Sequence, residues 1–444
     1  MGIKVKKVLL KIGIILVAIV TLGLVTRAVF NYTTGKKLES IVEKMKFEGK
    51  PLTTKEFEPK GEDQDNGAIL WRGAAAMFSV EKSEREMLSQ TMENIFYNKP
   101  LEENTKKRLR RIIEENQKVL ELIREAAEKP YFKYAENWDG PSEEIEVPNL
   151  VKMITVVRLL AVDAVLKAED AQIDEAVERC LIGVRFSKHL LDEPFLIHYL
   201  VAVANMKQLV FCLNRITDEE KIGEDTLLNI LKELDIEPWR RGLVRSFEKE
   251  KISSFETGIS IIKGDLTVVE AGFWDKVYYW LCRPIVKTEI TWLLKLYEEM
   301  ERAADLPYYQ TDETREIFEK KYGNPPWYFR ITGFLFPNLV TAMFKEATLE
   351  AMLLTAQTGI SCKIYKNQHG EYPEKLAKLV PDILEKGPVD PFTGKAFVYR
   401  RLDNGFIVYS LGSNEKDDEG RGTLKITSIV MEKDDDWAWK EGVD

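Results

Sequence analysis

The stretch from Val8 to Phe30 constrains this chain more than any other. It is almost wholly apolar, broken only by Lys11 near its start and Arg27 near its end. About 20 such residues in a helix match the hydrocarbon thickness of a bilayer. Lys4, Lys6 and Lys7 precede the run, and the first thirty residues contain no acid. Positive flanks stay on the cytoplasmic side, so the N-terminus is expected to be cytoplasmic and the body periplasmic or extracellular. A cleaved signal peptide is the rival reading. The run is long for one, and no clean small-x-small site follows it. The expectation is a single-pass signal anchor over residues 1–35 and an exported body.

Charge narrows the function classes. The 444 residues carry a net charge of −9, and the first thirty contribute +5, so the rest stands at −14. An acidic body lacks the basic footprint that neutralises phosphates, which excludes nucleic acid as the expected partner. The four cysteines, Cys180, Cys212, Cys282 and Cys362, form no C-x-x-C pair. Their apolar contexts suggest buried free thiols. In an exported protein one bridge is open to test, between Cys180 and Cys212 on consecutive helices.

Residues 36–330 are expected to form an irregular helical bundle. Lys36 to Met45 has helical pattern, and Gly49-Lys-Pro51 breaks it. Asp65 or Asn66 is placed to cap a helix starting near Ala68. Apolar residues then recur at helical spacing in Leu109–Ala127, Leu150–Val165 and Val177–Leu191. Short breakers between these runs predict antiparallel neighbours. No fixed repeat appears. Trp274 to Met300 is rich in aromatics but interrupted by Asp275, Lys276, Arg283, Pro284, Lys287 and Glu289. That argues for core helices or a helix resting on the membrane surface rather than a second span. Residues 303–330, with Pro307, Gly323, Pro325 and Pro326, suggest a link between domains.

The C-terminal part changes character. One helix is expected up to about Lys366, with Val340, Phe344, Ala347, Ala351 and Leu354 on its buried face. Gly370 is placed as a left-handed cap, and Pro373 forbids the helix to resume. Lys395–Arg401 and Phe406–Leu411 have strand character around the turn Asp403-Asn-Gly405. Leu424–Val430 is the candidate third strand, and residues 431–444 suggest an acidic tail containing Trp437 and Trp439.

This order of a long helix, Tyr365-x-x-x-His-Gly-x-Tyr-Pro373, Asp390-Pro-Phe-Thr-Gly394 and Tyr409-Ser-Leu-Gly412 resembles the C-terminal region of type II secretion major pseudopilins. The likeness covers about residues 337–430. Gly49-Lys-Pro-Leu-Thr53 and Asn66-Gly-Ala68 also resemble a group of membrane-anchored bacterial proteins that place a helical domain before such a module. The resemblance implies a small α+β module, a long helix plus a three-stranded antiparallel sheet. It also implies a calcium loop after the second strand, whose matching positions are Leu411 (by its carbonyl), Asn414, Asp417 and Asp418. A prepilin-peptidase glutamate has no counterpart in the apolar run, and some 300 residues separate that run from the module. The module is therefore expected to be borrowed rather than part of a fibre subunit.

No Walker, Rossmann, G-x-S-x-G or H-E-x-x-H pattern occurs. His189 and His198 bracket Asp192 and Glu193, but at no zinc spacing, and Pro194 places the acids in a turn that ends one helix and caps the next. Glu248-Lys-Glu250-Lys251 suggests solvated ion pairs on a helix. The expected function is a membrane-anchored structural or interaction protein with envelope partners, associated with secretion or pilus-like machinery. The alternative is an exported hydrolase with a carboxylate site in the helical domain.

Overall fold

The apolar run does not stop at the surface of the body. In the computed structural model, which describes residues 2–138, 145–218, 222–264, 272–329, 339–421 and 436–442, it continues as one helix, α1 (Gly2–Phe47). Its stretch from Val8 to Phe30 is largely apolar and, Arg27 aside, exposed, and it is long enough to cross a bilayer. Its last turns bury Leu38 and Met45 against the body. Gly49 ends it in the left-handed conformation, as Gly49-Lys-Pro predicts.

The helical body follows in short antiparallel steps: α2 (Gly67–Met77), α3 (Lys82–Phe96), α4 (Glu103–Glu115), α5 (Gln117–Ala127), α6 (Leu150–Glu169), α7 (Ile173–Lys188), α8 (Leu196–Thr217) and α9 (Glu224–Glu233). Asn66 is the cap of α2. Its Oδ1 accepts from the Ala68 N–H at 3.0 Å and the Lys133 N–H at 2.9 Å, while its Nδ2 donates to the Lys133 carbonyl. One buried side chain thus satisfies a helix end and a passing loop. Asn66→Ala is expected to lower stability by about 1–2 kcal/mol, read as a lowered denaturation midpoint; an unchanged midpoint would rule out this role. The apolar pattern Leu109–Ala127 is not one helix. It breaks at Asn116, whose Nδ2 turns back to the Ile112 carbonyl at 2.9 Å.

α6, α7 and α8 form the centre. Val156, Leu160 and Val165 of α6 and Ala202, Leu209 and Ile216 of α8 are fully or almost fully buried. α8 is apolar enough to cross a membrane by composition, but it is enclosed in the body. Gly183 of α7 lets α8 approach closely, since a Cβ there would lie 2.8 Å from the Leu209 side chain. Cys180 and Cys212 are buried free thiols on these neighbouring helices. Burial pushes the Cys212 thiol up to about 12 and that of Cys180 well above its ordinary value.

α10 (Glu237–Lys263) and α11 (Phe273–Ala304) form a long antiparallel pair. Ile290 of α11 packs into the notch left by Gly258 of α10. α11 also runs beside α1 in the same direction. Arg27 meets Trp280, Asn31 meets Lys287 and Lys44 meets Glu298 at 2.8 Å. Lys249 and Lys251 of α10 are buried, not solvated, because α10 is covered on one side by the segment before α8 and on the other by α11. The 303–330 stretch is partly helical, with α12 at Asp312–Tyr322, and Tyr308 and Tyr322 join the main core.

α13 (Leu339–His369) carries the C-terminal sheet. Gly370, at φ +82°, stops it where the sequence predicts. The sheet is antiparallel in the order β1 (Val398–Arg401), β2 (Phe406–Ser410), β3 (Trp437–Glu441). Val398 pairs with Tyr409, and Phe406 pairs with Glu441. The predicted Asp403-Asn-Gly405 turn joins β1 to β2, closed by the Leu402 N–H to the Gly405 carbonyl. Asp390 explains the Asp-Pro-Phe-Thr-Gly motif. Its carboxylate accepts from the Phe392 N–H, the Ser410 hydroxyl and the Leu411 N–H, pinning that turn to the end of β2. The third strand is Trp437–Glu441, inside the stretch the sequence suggests is a tail; Leu424–Val430 lies outside the described residues. The main hydrophobic core runs without a break from the bundle through α13 into the sheet.

Candidate functional site

Where β3 meets the bundle, a cleft of about 350 Å³ opens between α3, α8 and the sheet. Its floor is a row of aromatic rings. Trp437 stacks on Phe211 at 5.6 Å between centroids, Phe211 meets Phe96 edge-on at 4.7 Å, and Phe96 meets Tyr97 at 4.9 Å. Asn98, Asp218, Asp436 and Lys440 supply polar groups to the walls. Two of the groups lining the cleft are buried polar atoms that no described residue satisfies: Asp436 Oδ1 and Trp437 Nε1. Such atoms cost about 1–3 kcal/mol each if left without a partner.

Asp436 is placed by its other oxygen. Oδ2 accepts from the Gly420 N–H at 2.8 Å and the Asp418 N–H at 3.0 Å. Gly420 is needed there: at φ +71° a Cβ would lie 2.6 Å from the Ile407 side chain. Burial pushes the Asp436 carboxyl up to about 6, against the Gly420 N–H and with the help of Asp418. The folded protein therefore holds this proton more tightly than the unfolded chain. The group favours folding below its ordinary value near 4, and that contribution fades as pH rises through about 6. Asp436→Asn is expected to remove this slope. Melting temperatures of the two proteins should diverge between pH 4.5 and pH 7, with the wild type losing more; parallel profiles would rule out the assignment.

The four positions matched to a calcium loop lie beside this cleft, where Asp418 donates its N–H to Asp436. Asp417 accepts from the Tyr409 hydroxyl at 2.6 Å, the Glu419 N–H at 2.9 Å and Arg400 at 3.0 Å. The Tyr409 bond leads in holding its carboxyl below the usual range. Asn414 donates to Asp418 and accepts from the Lys416 N–H, while the Leu411 N–H is bonded to Asp390. Among the described residues no three carboxylate, imidazole or thiol groups converge as metal ligands. A hard cation needs six to eight oxygens. The hydrogen bonds of Leu411, Asn414, Asp417 and Asp418 brace the loop against β2; calcium at these four positions stays an expectation of the resemblance.

The histidine and acid cluster at the start of α8 is likewise tied to backbone. His189 Nε2 lies 3.0 Å from the Ala126 carbonyl. His198 Nδ1 accepts from the Phe195 N–H, and burial takes its imidazole down to about 3, so it stays neutral. Lys249 Nζ donates to the carbonyls of Asp192 and Glu193, closing the turn that ends at Pro194. Burial takes Lys249 down to about 7. Glu193 accepts from the Tyr134 N–H, and burial pushes it up to about 7. Glu250, rather than Asp192 or Glu193, accepts from the first N–H of α8, that of Leu196. The sequence shows these residues but not this division of labour, because α10 reaches them from more than fifty positions away.

Three further acids in the body are engaged by partners. Glu350 is ion-paired with Arg240, Glu301 with Lys251, and Glu256 accepts from Thr54. Glu346, one turn from Glu350, is pushed up to about 8 by burial and by that neighbour. No family model, no curated protein and no solved structure matches this chain.

Proposed function

We propose that this protein is a membrane-anchored extracytoplasmic interaction protein that offers the bundle–sheet cleft to a protein partner of the cell envelope. The observation that carries this reading is a cleft with an aromatic floor, two of whose lining residues, Asp436 and Trp437, each hold a buried polar atom without a described partner. Asp436 Oδ1 calls for a donor and Trp437 Nε1 for an acceptor. A peptide group supplies both, and aromatic rings flank it with apolar contact. The long helix followed by a three-stranded antiparallel sheet supports the pseudopilin-like reading of the C-terminal module. The enclosure of α13 between bundle and sheet supports a docking role over a fibre subunit, whose long helix has to face its neighbours. The exposed apolar run of α1 supports the anchor. The engagement of Glu256, Glu301 and Glu350 by hydroxyl, lysine and arginine partners favours this reading over a hydrolase, with Glu346 the exception.

The test is a photo-crosslinking amino acid at Tyr97, on the rim of the cleft, in native membranes. Discrete adducts with envelope proteins are expected, including secretion or pilus-like components, and they should be lost in an Asp436→Lys variant that retains its melting transition. Adducts that survive that change would detach the partner from the cleft. The complete lack of adducts at Tyr97 and at a second rim site, Asn98, would overturn the interaction reading.

A further inference from the structure

We propose that the first three turns of α11, Trp274 to Ile285, lie in the outer half of the membrane that α1 crosses, clipped to the anchor by Arg27. The occupant of this surface is outer-leaflet lipid. The inference rests on the reading of α1 as a retained anchor.

The depth follows from the register of the two parallel helices. Trp280 sits at the level of Arg27, whose guanidinium lies 3.7 Å over the Trp280 ring. Arg27 is inside the apolar run that ends at Phe30. Trp274 is six residues earlier on α11, about 9 Å nearer the cytoplasmic side at the helical rise. That places it beside the turn of α1 around Thr21. Ile19, Leu22, Leu24 and Phe30 of α1 form one apolar groove with Leu281 and Ile285 of α11.

The surface chemistry agrees. Trp274 is 77% exposed, and Tyr278, Trp280 and Leu281 are each more than 40% exposed. Tryptophan and tyrosine concentrate at membrane interfaces, where the ring is in apolar surroundings and the polar tip is wet. A cluster of this kind, continuous with a bilayer-length apolar helix, marks a lipid-facing surface. The segment enters without crossing, since Asp275, Lys276, Arg283 and Lys287 are spaced along it.

Arg27 supplies the strongest argument. A cation within an apolar span needs a partner. Pro284 lies inside α11, and having no N–H it leaves the Trp280 carbonyl without its usual helical donor. Arg27 Nη2 donates to that same carbonyl. One helix thus carries a charge that is costly in lipid and the other a carbonyl that is costly in lipid, and Arg27 Nη2 supplies that carbonyl with the donor it lacks. Cation–π contacts also strengthen when water is excluded.

The test uses the full chain in phosphatidylcholine vesicles containing lipid brominated at mid-chain, which quenches tryptophan within the hydrocarbon. α1 contains none of the nine tryptophans, so any quenched emission reports the body. The quenched component is expected to fall at least twofold in Trp274→Phe/Trp280→Phe. It should also fall in Arg27→Ala, where the clip is lost. A Phe30→Trp variant reports the anchor separately. If Phe30→Trp adds quenched emission while the double variant leaves the wild-type component unchanged, α11 lies outside the membrane and the inference is wrong. If Phe30→Trp adds none, α1 is not embedded, and the anchor reading fails together with the inference.

Discussion

Trp439→Ala is expected to lower the stability of the body by about 3–5 kcal/mol, the cost of deleting a large buried ring that its surroundings cannot fill. Trp439 is 2% exposed and stands in a notch of α13 made by Gly359. A Cβ at Gly359 would lie 2.1 Å from Trp439 Cδ1 and 2.5 Å from its Nε1. The ring is therefore the key that locks sheet to helix. The same geometry predicts coupling. Gly359→Ala alone forces the indole out of the notch and is destabilising despite the better helix propensity of alanine. Combined with Trp439→Ala, the added methyl enters vacated space, and the double variant should be more stable than the sum of the single losses implies. Urea denaturation of the detergent-solubilised protein measures all three. Additive losses would show that the notch and the ring are not in the contact described.

Lys363→Met should cost about as much, on the order of 3–5 kcal/mol, because it strands a buried carboxylate. Lys363 and Glu441 are both more than nine-tenths buried, with Nζ 2.7 Å from Oε1. The Tyr372 hydroxyl donates to the same oxygen at 2.8 Å, and Lys363 also donates to the Thr217 carbonyl. Burial raises the Glu441 carboxyl above its ordinary value, and Lys363 opposes that rise. Without the lysine the rise should be larger. A folded-state value above the unfolded one means that protonation favours the fold, so the variant should recover stability as pH falls towards the ordinary glutamate range. Lys363→Met/Glu441→Leu, which removes both charges, should lie close to the wild type. A single variant as stable as the wild type at pH 7 would show that the pair is not desolvated as described.

Local chemistry made much of this fold legible in the sequence. Gly370 and Pro373 mark the end of α13, Asp403-Asn-Gly405 marks the hairpin, and Asn66 marks a cap, because each acts on residues within a few positions of itself. β3 was less visible. Trp437-Ala-Trp-Lys-Glu alternates with period two and is buried in the same rhythm, but five acids among the preceding and included positions obscure the pattern. The break at Asn116 was hidden because the apolar spacing continues across it. The burial of Lys249 and Lys251 could not be read from α10 itself, since the elements that cover them are distant in sequence. The cleft is illegible for the same reason. Its floor joins Phe96, Phe211 and Trp437, and its acid, Asp436, sits in a stretch whose composition suggests only a tail.

The position of β3 in the chain also governs the order of assembly. The bundle helices precede the sheet in the chain, and the sheet is completed by residues 437–441. Until those residues are in place, the Gly359 notch is open and Lys363 lacks its carboxylate. The bundle helices have by then had time to pair, since their contacts lie close along the chain and form early. A nascent body halted short of residue 436 would carry an apolar slot at Gly359 and a Lys363 cation without its partner carboxylate. Synthesis of β3 is thus the step that closes both the notch and the ion pair.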